Sequence, residues 1–131
     1  MENRLKILVA DDETDITDLL KSYFLSMGHE CEVVNNGRDA LRVASEKTFD
    51  VILVDVMMPY MDGYHLTHQI TSSLKNPPII IIITSRDTQF EKGIAKMSGA
   101  YEIVQKPFNL DDLMKTINNA VLSRRNNENS K

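Results

Sequence analysis

The sequence predicts an α/β fold in which one open parallel sheet is covered by helices on both faces. Two observations lead to this prediction. Five short strand-like segments alternate with five segments of helical periodicity, and most of the strand-like segments are continuous apolar runs, as expected for strands buried on both faces. Parallel neighbours need a crossover connection, which is right-handed in nearly all known cases. The length of 131 residues fits one domain of this kind.

The first half of the chain contains two strand-helix pairs. The apolar run 5–10 predicts a strand, and a helical pattern over 16–27 follows it and ends at Gly28. The segment 30–34 is weaker and partly alternating, which is typical of a strand at the edge of a sheet. An Asn-Asn-Gly turn then leads to a second helical pattern over 40–44.

The third and fourth pairs occupy the middle of the chain. The run 51–54 predicts a third strand, and the helix after it carries Leu66 and Ile70. Two prolines precede the fourth strand, 79–83. The fourth helix, about 87–97, is expected to be the least stable of the five, because it contains a glycine and few apolar residues. Those apolar residues lie along one face: Phe90, Ile94 and Met97.

The last pair is a short strand over 101–104 and a helix whose apolar residues run in phase from Leu110 to Val121. Asn109 is the predicted N-cap of this helix. The segment 123–131 is polar and has no apolar partner for packing, so it is predicted to be a frayed tail or the start of a linker. The domain is therefore expected to cover 4–122.

Four predicted strands end at residues with reactive side chains. These residues are Asp11 with Asp12, then Asp55, Thr84 and Lys106. Because parallel strands end at the same edge of a sheet, all of these side chains are expected to lie close together. Three neighbouring carboxylates repel one another, which raises their pKa values and favours protonation unless a cation binds between them. Mg²⁺ is the cation that best explains such a group. A carboxylate can also attack phosphorus and form an aspartyl phosphate.

Simpler explanations exist for each residue taken alone. Asp11 and Asp12 could be a helix N-cap and a first-turn acid, and Lys106 could be a counter-ion. His65 and His68 lie three apart on a helix, but solvated positions are favoured because no third ligand is near in sequence. Cys31 is better explained as an inert small hydrophobe than as a nucleophile.

Composition limits the other classes of function. The net charge of −4 gives no general attraction to nucleic acid or anionic lipid, so direct binding of this chain to either is not expected. A single cysteine, the lack of a signal-peptide pattern and the lack of a long apolar run favour a reducing, cytoplasmic setting away from the membrane.

Five motifs are similar to those of response-regulator receiver domains from two-component signalling. They are ILVADDE, VILVDVMMPYMDG, ITS at 83–85, SGA at 98–100 and QKPF at 105–108. Their order and spacing make the resemblance specific over about residues 4–122. The resemblance implies a flavodoxin-like three-layer α/β/α sandwich with a five-stranded parallel sheet in the order 2-1-3-4-5.

The resemblance also implies a role for each residue. Asp55 would accept a phosphoryl group from a sensor histidine kinase or a histidine phosphotransfer protein. Lys106, with a cis bond to the following proline, would bind that group, and Thr84 would move to hydrogen-bond it. The implied Mg²⁺ ligands are the carboxylates of Asp11, Asp12 and Asp55 and the backbone carbonyl of Met57.

The expected output surface is formed by the fourth helix, the fifth strand and the fifth helix, in a monomer or a phosphorylation-dependent dimer. Receivers commonly have an aromatic residue three positions before the lysine, but this chain has Ile103, with Tyr101 two positions earlier. The usual aromatic switch is therefore expected to be absent or altered. Met57 and Arg86 occupy positions that tune phosphoryl lifetime in the family, and they favour slow self-dephosphorylation.

Two other classes of function remain open at this point. A hydrolase with an aspartyl nucleophile, such as a haloacid-dehalogenase-like phosphatase, would have a second aspartate where this chain has Met57. A phosphorylation-independent interaction module on the same fold is disfavoured by the complete set of acidic residues, threonine and lysine, although Ile103 is compatible with it.

Overall fold

The computed structural model describes residues 4–129. The five strands are β1 (Lys6–Ala10), β2 (Glu30–Val34), β3 (Val51–Asp55), β4 (Ile79–Thr84) and β5 (Glu102–Gln105). The five helices are α1 (Thr14–Ser26), α2 (Gly37–Glu46), α3 (Gly63–Ser73), α4 (Thr88–Ser98) and α5 (Leu110–Asn129). Strands and helices alternate along the whole described chain, as the sequence predicts.

The sheet has the order β2-β1-β3-β4-β5, and every pair of neighbours is parallel. This result confirms the predicted flavodoxin-like fold and places the weaker strand β2 at an edge. The register aligns Ala10 with Val54, and Asp55 with Ile83. The carboxyl ends of β1, β3 and β4 are therefore level, and the side chains that follow them share one edge of the sheet.

Alternation along the strands divides the core into two layers, one on each face of the sheet. One layer lies under α2, α3 and α4, and its strand residues are Leu8, Ala10, Ile52, Val54, Ile80, Ile82 and Ile103. The other lies under α1 and α5, and its strand residues are Ile7, Val9, Cys31, Val51, Leu53, Ile79, Ile81 and Ile83. Burial on both faces explains why the central strands are continuous apolar runs.

Helix α4 packs through small residues and not through its large apolar ones. Its buried residues are Ala95 and Ser98. Phe90, Ile94 and Met97 are 81%, 52% and 87% exposed. The small side chains face the sheet, and the apolar stripe noted in the sequence therefore faces away from the core. The predicted weak anchoring of this helix has a structural basis in this arrangement.

Helix α5 is longer than predicted from the sequence. A frayed tail or the start of a linker was predicted from residue 123, whereas the helix continues through Asn129. The sequence contains no glycine or proline between Leu110 and Asn129 that would stop it, and Arg124 pairs with Glu128 one turn later at 3.9 Å. Ser130 and Lys131 lie outside the described residues. The division into a 4–122 domain and a following linker stays a prediction.

Between residues 4 and 129, no helix is both long enough and apolar enough to cross a lipid bilayer.

Candidate functional site

Three carboxylates meet at the carboxyl edge of the sheet. Asp11 and Asp12 follow β1, Asp55 ends β3, and one carboxylate oxygen from each lies within 4.8 Å of the others. Asp11 and Asp55 are only 1% and 4% exposed, whereas Asp12 is exposed. Among the described residues this is the one group of three or more acidic, histidine or cysteine side chains close enough to hold a metal ion. Hard carboxylate oxygens in this number suit Mg²⁺.

The aspartates after β1 are not the cap of helix α1. The N-cap position belongs to Glu13, whose side chain makes no capping hydrogen bond. Asp11 is instead fixed at the end of its strand, because its backbone N–H donates to the Val34 carbonyl at 3.1 Å and its Oδ1 accepts from the Glu13 N–H at 2.9 Å. The capping explanation therefore does not account for this pair.

Lys106 bridges the acidic cluster from the end of β5. Its Nζ lies 2.9 Å from Asp11 Oδ2, 2.8 Å from Glu13 Oε1 and 3.4 Å from Asp55 Oδ1. Its backbone N–H donates to the Thr84 carbonyl at 2.7 Å, and the Lys106-Pro107 bond is cis, as expected. Glu13 was not among the site residues predicted from the sequence, although an acid two residues beyond Asp11 is a signal for it.

The electrostatics of the site distinguish Asp55 from an ordinary aspartate. Burial raises the pKa of Asp55 to about 6, the negative charge of Asp11 adds to this effect, and Lys106 opposes it. Burial lowers the pKa of Lys106, but hydrogen bonds to Glu13 and Asp11 and the charges of Asp11 and Asp55 outweigh burial, so the net shift is upward. Lys106 therefore remains a cation beside a carboxylate that binds protons unusually well.

Thr84 completes the edge. It is fully buried at the end of β4, one residue beyond Ile83, which is aligned with Asp55. Its Oγ1 accepts a hydrogen bond from the Arg86 N–H at 3.0 Å. A hydroxyl at this position can also donate a hydrogen bond to an anion that binds at the carboxyl edge.

The loop after Asp55 packs tightly against the start of α3. Asp62 caps that helix by accepting the His65 N–H at 2.9 Å, and the Gly63 N–H donates to the Val56 carbonyl at 2.9 Å. A Cβ at Gly63 would lie 2.5 Å from the backbone oxygen of Asp55. The backbone of Asp55 therefore lies against Gly63, and any side chain at position 63 would have to displace it. Met57, in the same loop, has an exposed side chain.

We expect Gly63→Ala to destabilise the fold by about 2 to 3 kcal/mol, because its methyl group would clash with backbone that cannot move aside easily. Urea denaturation would measure the change. Gly93→Ala is the matched control, because a Cβ at Gly93 meets nothing within 4 Å, and this variant should be neutral or slightly stabilising. Equal stability of the two variants would contradict the argument.

The other candidate residues are not part of the acidic cluster. His65 and His68 have exposed side chains on α3, and burial raises the pKa of the Cys31 thiol to about 11. Ile103 is buried in the layer under α4, and Tyr101 lies just before β5 with Lys96 Nζ 5.5 Å from the centre of its ring. An altered aromatic switch stays a prediction.

One protein-family model matches most of the chain. The model for the response regulator receiver domain matches residues 7–118. Protein PilH of Pseudomonas aeruginosa is 34% identical over 119 residues, which are 90% of this chain and 98% of that protein. The sensor histidine kinase RcsC of Salmonella typhi is 37% identical over 113 residues, which are 86% of this chain and 12% of that protein.

Solved structures agree with the sequence relatives. The receiver domain of the Francisella response regulator 1452 superimposes with a TM-score of 0.86 at 31% identity and covers 92% of this chain and 99% of its own. The receiver domain of the sensor histidine kinase PA1611 from Pseudomonas aeruginosa superimposes with a TM-score of 0.82 at 25% identity, over 91% of this chain and 98% of its own. That structure has a magnesium ion coordinated in its active site cleft.

Proposed function

Because this chain belongs to the response regulator receiver domain family and is a phospho-accepting receiver of two-component signalling, we propose that Asp55 is the residue that accepts the phosphoryl group. One observation carries this assignment. Asp55 is the buried carboxylate that lies beside both Asp11 and Lys106, at the edge where strands β1, β3 and β5 end. A carboxylate that attacks a phosphoryl group needs acidic neighbours that can bind a metal ion. It also needs a cation that can bind the phosphoryl oxygens.

The proposed reaction is a transfer between two side chains. An oxygen of Asp55 attacks the phosphorus of a phosphohistidine, the bond from phosphorus to the histidine nitrogen breaks, and the bond to the aspartate oxygen forms. The nitrogen takes up the electron pair and, with a proton, leaves as neutral imidazole. Lys106 balances the charge on the phosphoryl oxygens, and the Thr84 hydroxyl donates to one of them.

Receivers bind Mg²⁺ in their acidic pocket, and the three aspartates here fit that ion. We propose that Asp11, Asp12, Asp55 and the backbone carbonyl of Met57 hold it in this chain. When bound, Mg²⁺ neutralises negative charge that would otherwise repel the phosphoryl donor. Burial raises the pKa of Asp55, and repulsion from the carboxylates of Asp11 and Asp12 adds to the shift, so a cation at this position is favoured.

We expect the affinity for Mg²⁺ to fall as the pH drops below about 6, by up to about tenfold per pH unit, because the ion must displace the proton that Asp55 then carries. Above that pH the affinity should level off. Calorimetric titration across this range measures the change. An affinity that stayed constant down to about pH 4.5 would show that Asp55 does not contribute to the metal site.

Partners and setting follow from the family and remain part of the proposal. The phosphoryl donor is a sensor histidine kinase or a histidine phosphotransfer protein, and the output partner binds the surface of α4, β5 and α5. The chain acts in the cytoplasm as a switch that promotes its own Mg²⁺-dependent phosphotransfer and slow dephosphorylation. It does so as a monomer or as a phosphorylation-dependent dimer.

The direct test of this function is incubation of the protein with acetyl phosphate and Mg²⁺, followed by measurement of intact mass. The receiver should gain one phosphoryl group and retain it. A hydrolase would consume acetyl phosphate without a stable adduct, and an interaction module that works without phosphorylation would give no adduct with any donor. Met57, in place of a second aspartate, is the feature that disfavours the hydrolase.

A further inference from the structure

Arg86 contacts three parts of the molecule that a phosphoryl group would affect. Its backbone N–H donates to Thr84 Oγ1, and its Nη2 lies 2.9 Å from the sulfur of Met57 in the loop after Asp55. Its Nη1 lies 3.5 Å from Glu91 Oε2 on helix α4. Arg86 therefore connects Thr84, which is proposed to bind the phosphoryl group, with the loop after Asp55 and with helix α4.

Glu91 continues this connection to helix α3. The hydroxyl of Tyr64 donates to Glu91 Oε1, while Arg86 Nη1 lies 3.5 Å from Oε2 of the same carboxylate. Burial raises the pKa of Tyr64, and the hydrogen bond to Glu91 and its negative charge add to the shift, so Tyr64 keeps its proton and remains a donor. We refer to these three side chains as the Tyr64–Glu91–Arg86 network.

The network ties the first half of α4 to α3 and to Arg86, whereas the Asp87 cap, which accepts the Gln89 N–H at 2.9 Å, holds that end only from within the helix. The buried residues of α4, Ala95 and Ser98, both belong to its second half. That half is also tied to α3, because Thr71 Oγ1 donates to the Ser98 carbonyl at 3.1 Å. The next residue, Gly99, packs so closely that a Cβ there would lie 2.6 Å from Thr71 Oγ1. In the first half, Glu91 provides the polar contacts with α3 and Arg86, while Phe90 is 81% exposed.

We propose that the Tyr64–Glu91–Arg86 network holds the first half of α4 in the unphosphorylated protein, and that a phosphoryl group on Asp55 releases it by competing with Glu91 for Arg86. The proposal rests on the proposed role of Asp55. It names a route from the site to α4 that does not need an aromatic residue at position 103.

The chemistry favours this exchange. A phosphoryl group adds nearly two negative charges and can bind a guanidinium through two oxygens, whereas Glu91 carries one negative charge and its Oε2 lies 3.5 Å from Arg86 Nη1. Thr84 would donate to the same phosphoryl group, and the movement of its hydroxyl would weaken the hydrogen bond that it now accepts from the Arg86 N–H. Both changes free Arg86 from its present position.

Thermodynamic linkage provides the test. If phosphoryl binding must break the network, cutting the network in advance should strengthen that binding. Beryllofluoride with Mg²⁺ is the probe, since it mimics a phosphoryl group on aspartate, and fluorine NMR measures its affinity. We expect Tyr64→Phe, which removes no charge, to raise the affinity at least about fivefold. In an Arg86→Gln background the same substitution should have no effect.

Helix α4 provides a second measurement. In the ligand-free Tyr64→Phe variant, amide hydrogen exchange over residues 88–93 should rise toward the rate found in wild type with beryllofluoride, while exchange over residues 95–98 stays slow. Tyr101→Phe is the matched control, because it removes a tyrosine hydroxyl at another half-exposed position near α4. It should change neither the affinity nor the exchange.

The outcomes separate the two proposals. If wild type binds beryllofluoride but Tyr64→Phe leaves the affinity unchanged or lowers it, the network has no role and the function of Asp55 stands. A rise in affinity that persists in the Arg86→Gln background also overturns the network. If wild type neither binds beryllofluoride nor takes a phosphoryl group from acetyl phosphate, both proposals fail.

Discussion

Replacing Asp55 with asparagine should abolish phosphorylation. Incubated with acetyl phosphate and Mg²⁺, wild type should gain the mass of one phosphoryl group, whereas Asp55→Asn should gain none, because an amide keeps the shape of the side chain but is not a nucleophile. The neighbouring Asp11 is not expected to replace Asp55, since its Oδ2 is paired with Lys106 and its Oδ1 accepts the Glu13 N–H.

The same variant should be more stable than wild type at neutral pH without Mg²⁺, by about 1 to 2 kcal/mol. The folded protein raises the pKa of Asp55 from 3.8 to about 6, so ionisation of Asp55 costs stability. This cost is absent below about pH 4, grows as the pH rises, and is complete above about pH 6. A gain in stability together with a loss of phosphorylation would exclude misfolding as the cause. A phosphoryl adduct on Asp55→Asn would show that the acceptor is another residue.

Replacing Lys106 with methionine should produce the largest loss of stability. The side chains of Lys106, Asp11 and Asp55 are 10%, 2% and 5% exposed, so the variant leaves two buried carboxylates without their cation. We expect a loss of about 3 kcal/mol at neutral pH without Mg²⁺. A lysine with a raised pKa stabilises the fold at every pH below its ordinary value of 10.5, so the wild-type contribution is fully present at neutral pH.

The loss should shrink at about pH 5, where Asp55 becomes protonated, and it should shrink when Mg²⁺ is added, because the ion replaces the missing positive charge. Urea denaturation at both pH values, with and without Mg²⁺, measures these changes. Lys115→Met, at an exposed position of α5, is the matched control and should change stability by less than about 0.5 kcal/mol. A Lys106→Met loss that was independent of both pH and Mg²⁺ would contradict the electrostatic account.

The sequence was sufficient to predict the sheet and the residues at its carboxyl edge. Continuous apolar runs identified the buried strands, and parallel strands bring the residues that end them to one place. Asp11, Asp55 and Lys106 meet for this reason, although 95 residues separate Asp11 from Lys106 in the chain. Their proximity depends on the topology alone and not on side-chain detail.

Contacts between helices could not be predicted in the same way. Tyr64 and Glu91 are 27 residues apart, and their hydrogen bond depends on how α3 and α4 lie against each other. The face of α4 that packs against the core could not be predicted either, because the small residue Ala95 is buried while the large residue Phe90 is exposed. The end of α5 was placed too early because polar residues were taken to end a helix that has no breaker before Asn129.

The position of the phosphoryl group on the wild-type protein tests the central claim most directly. Borohydride reduces an aspartyl phosphate to homoserine, so treatment of the phosphorylated protein followed by peptide mass spectrometry identifies the modified residue. We predict homoserine at position 55 and an unchanged aspartate at positions 11 and 12. Homoserine at either of those two positions, or its absence from all three in protein that carries the phosphoryl mass, would contradict the assignment of Asp55 as the acceptor.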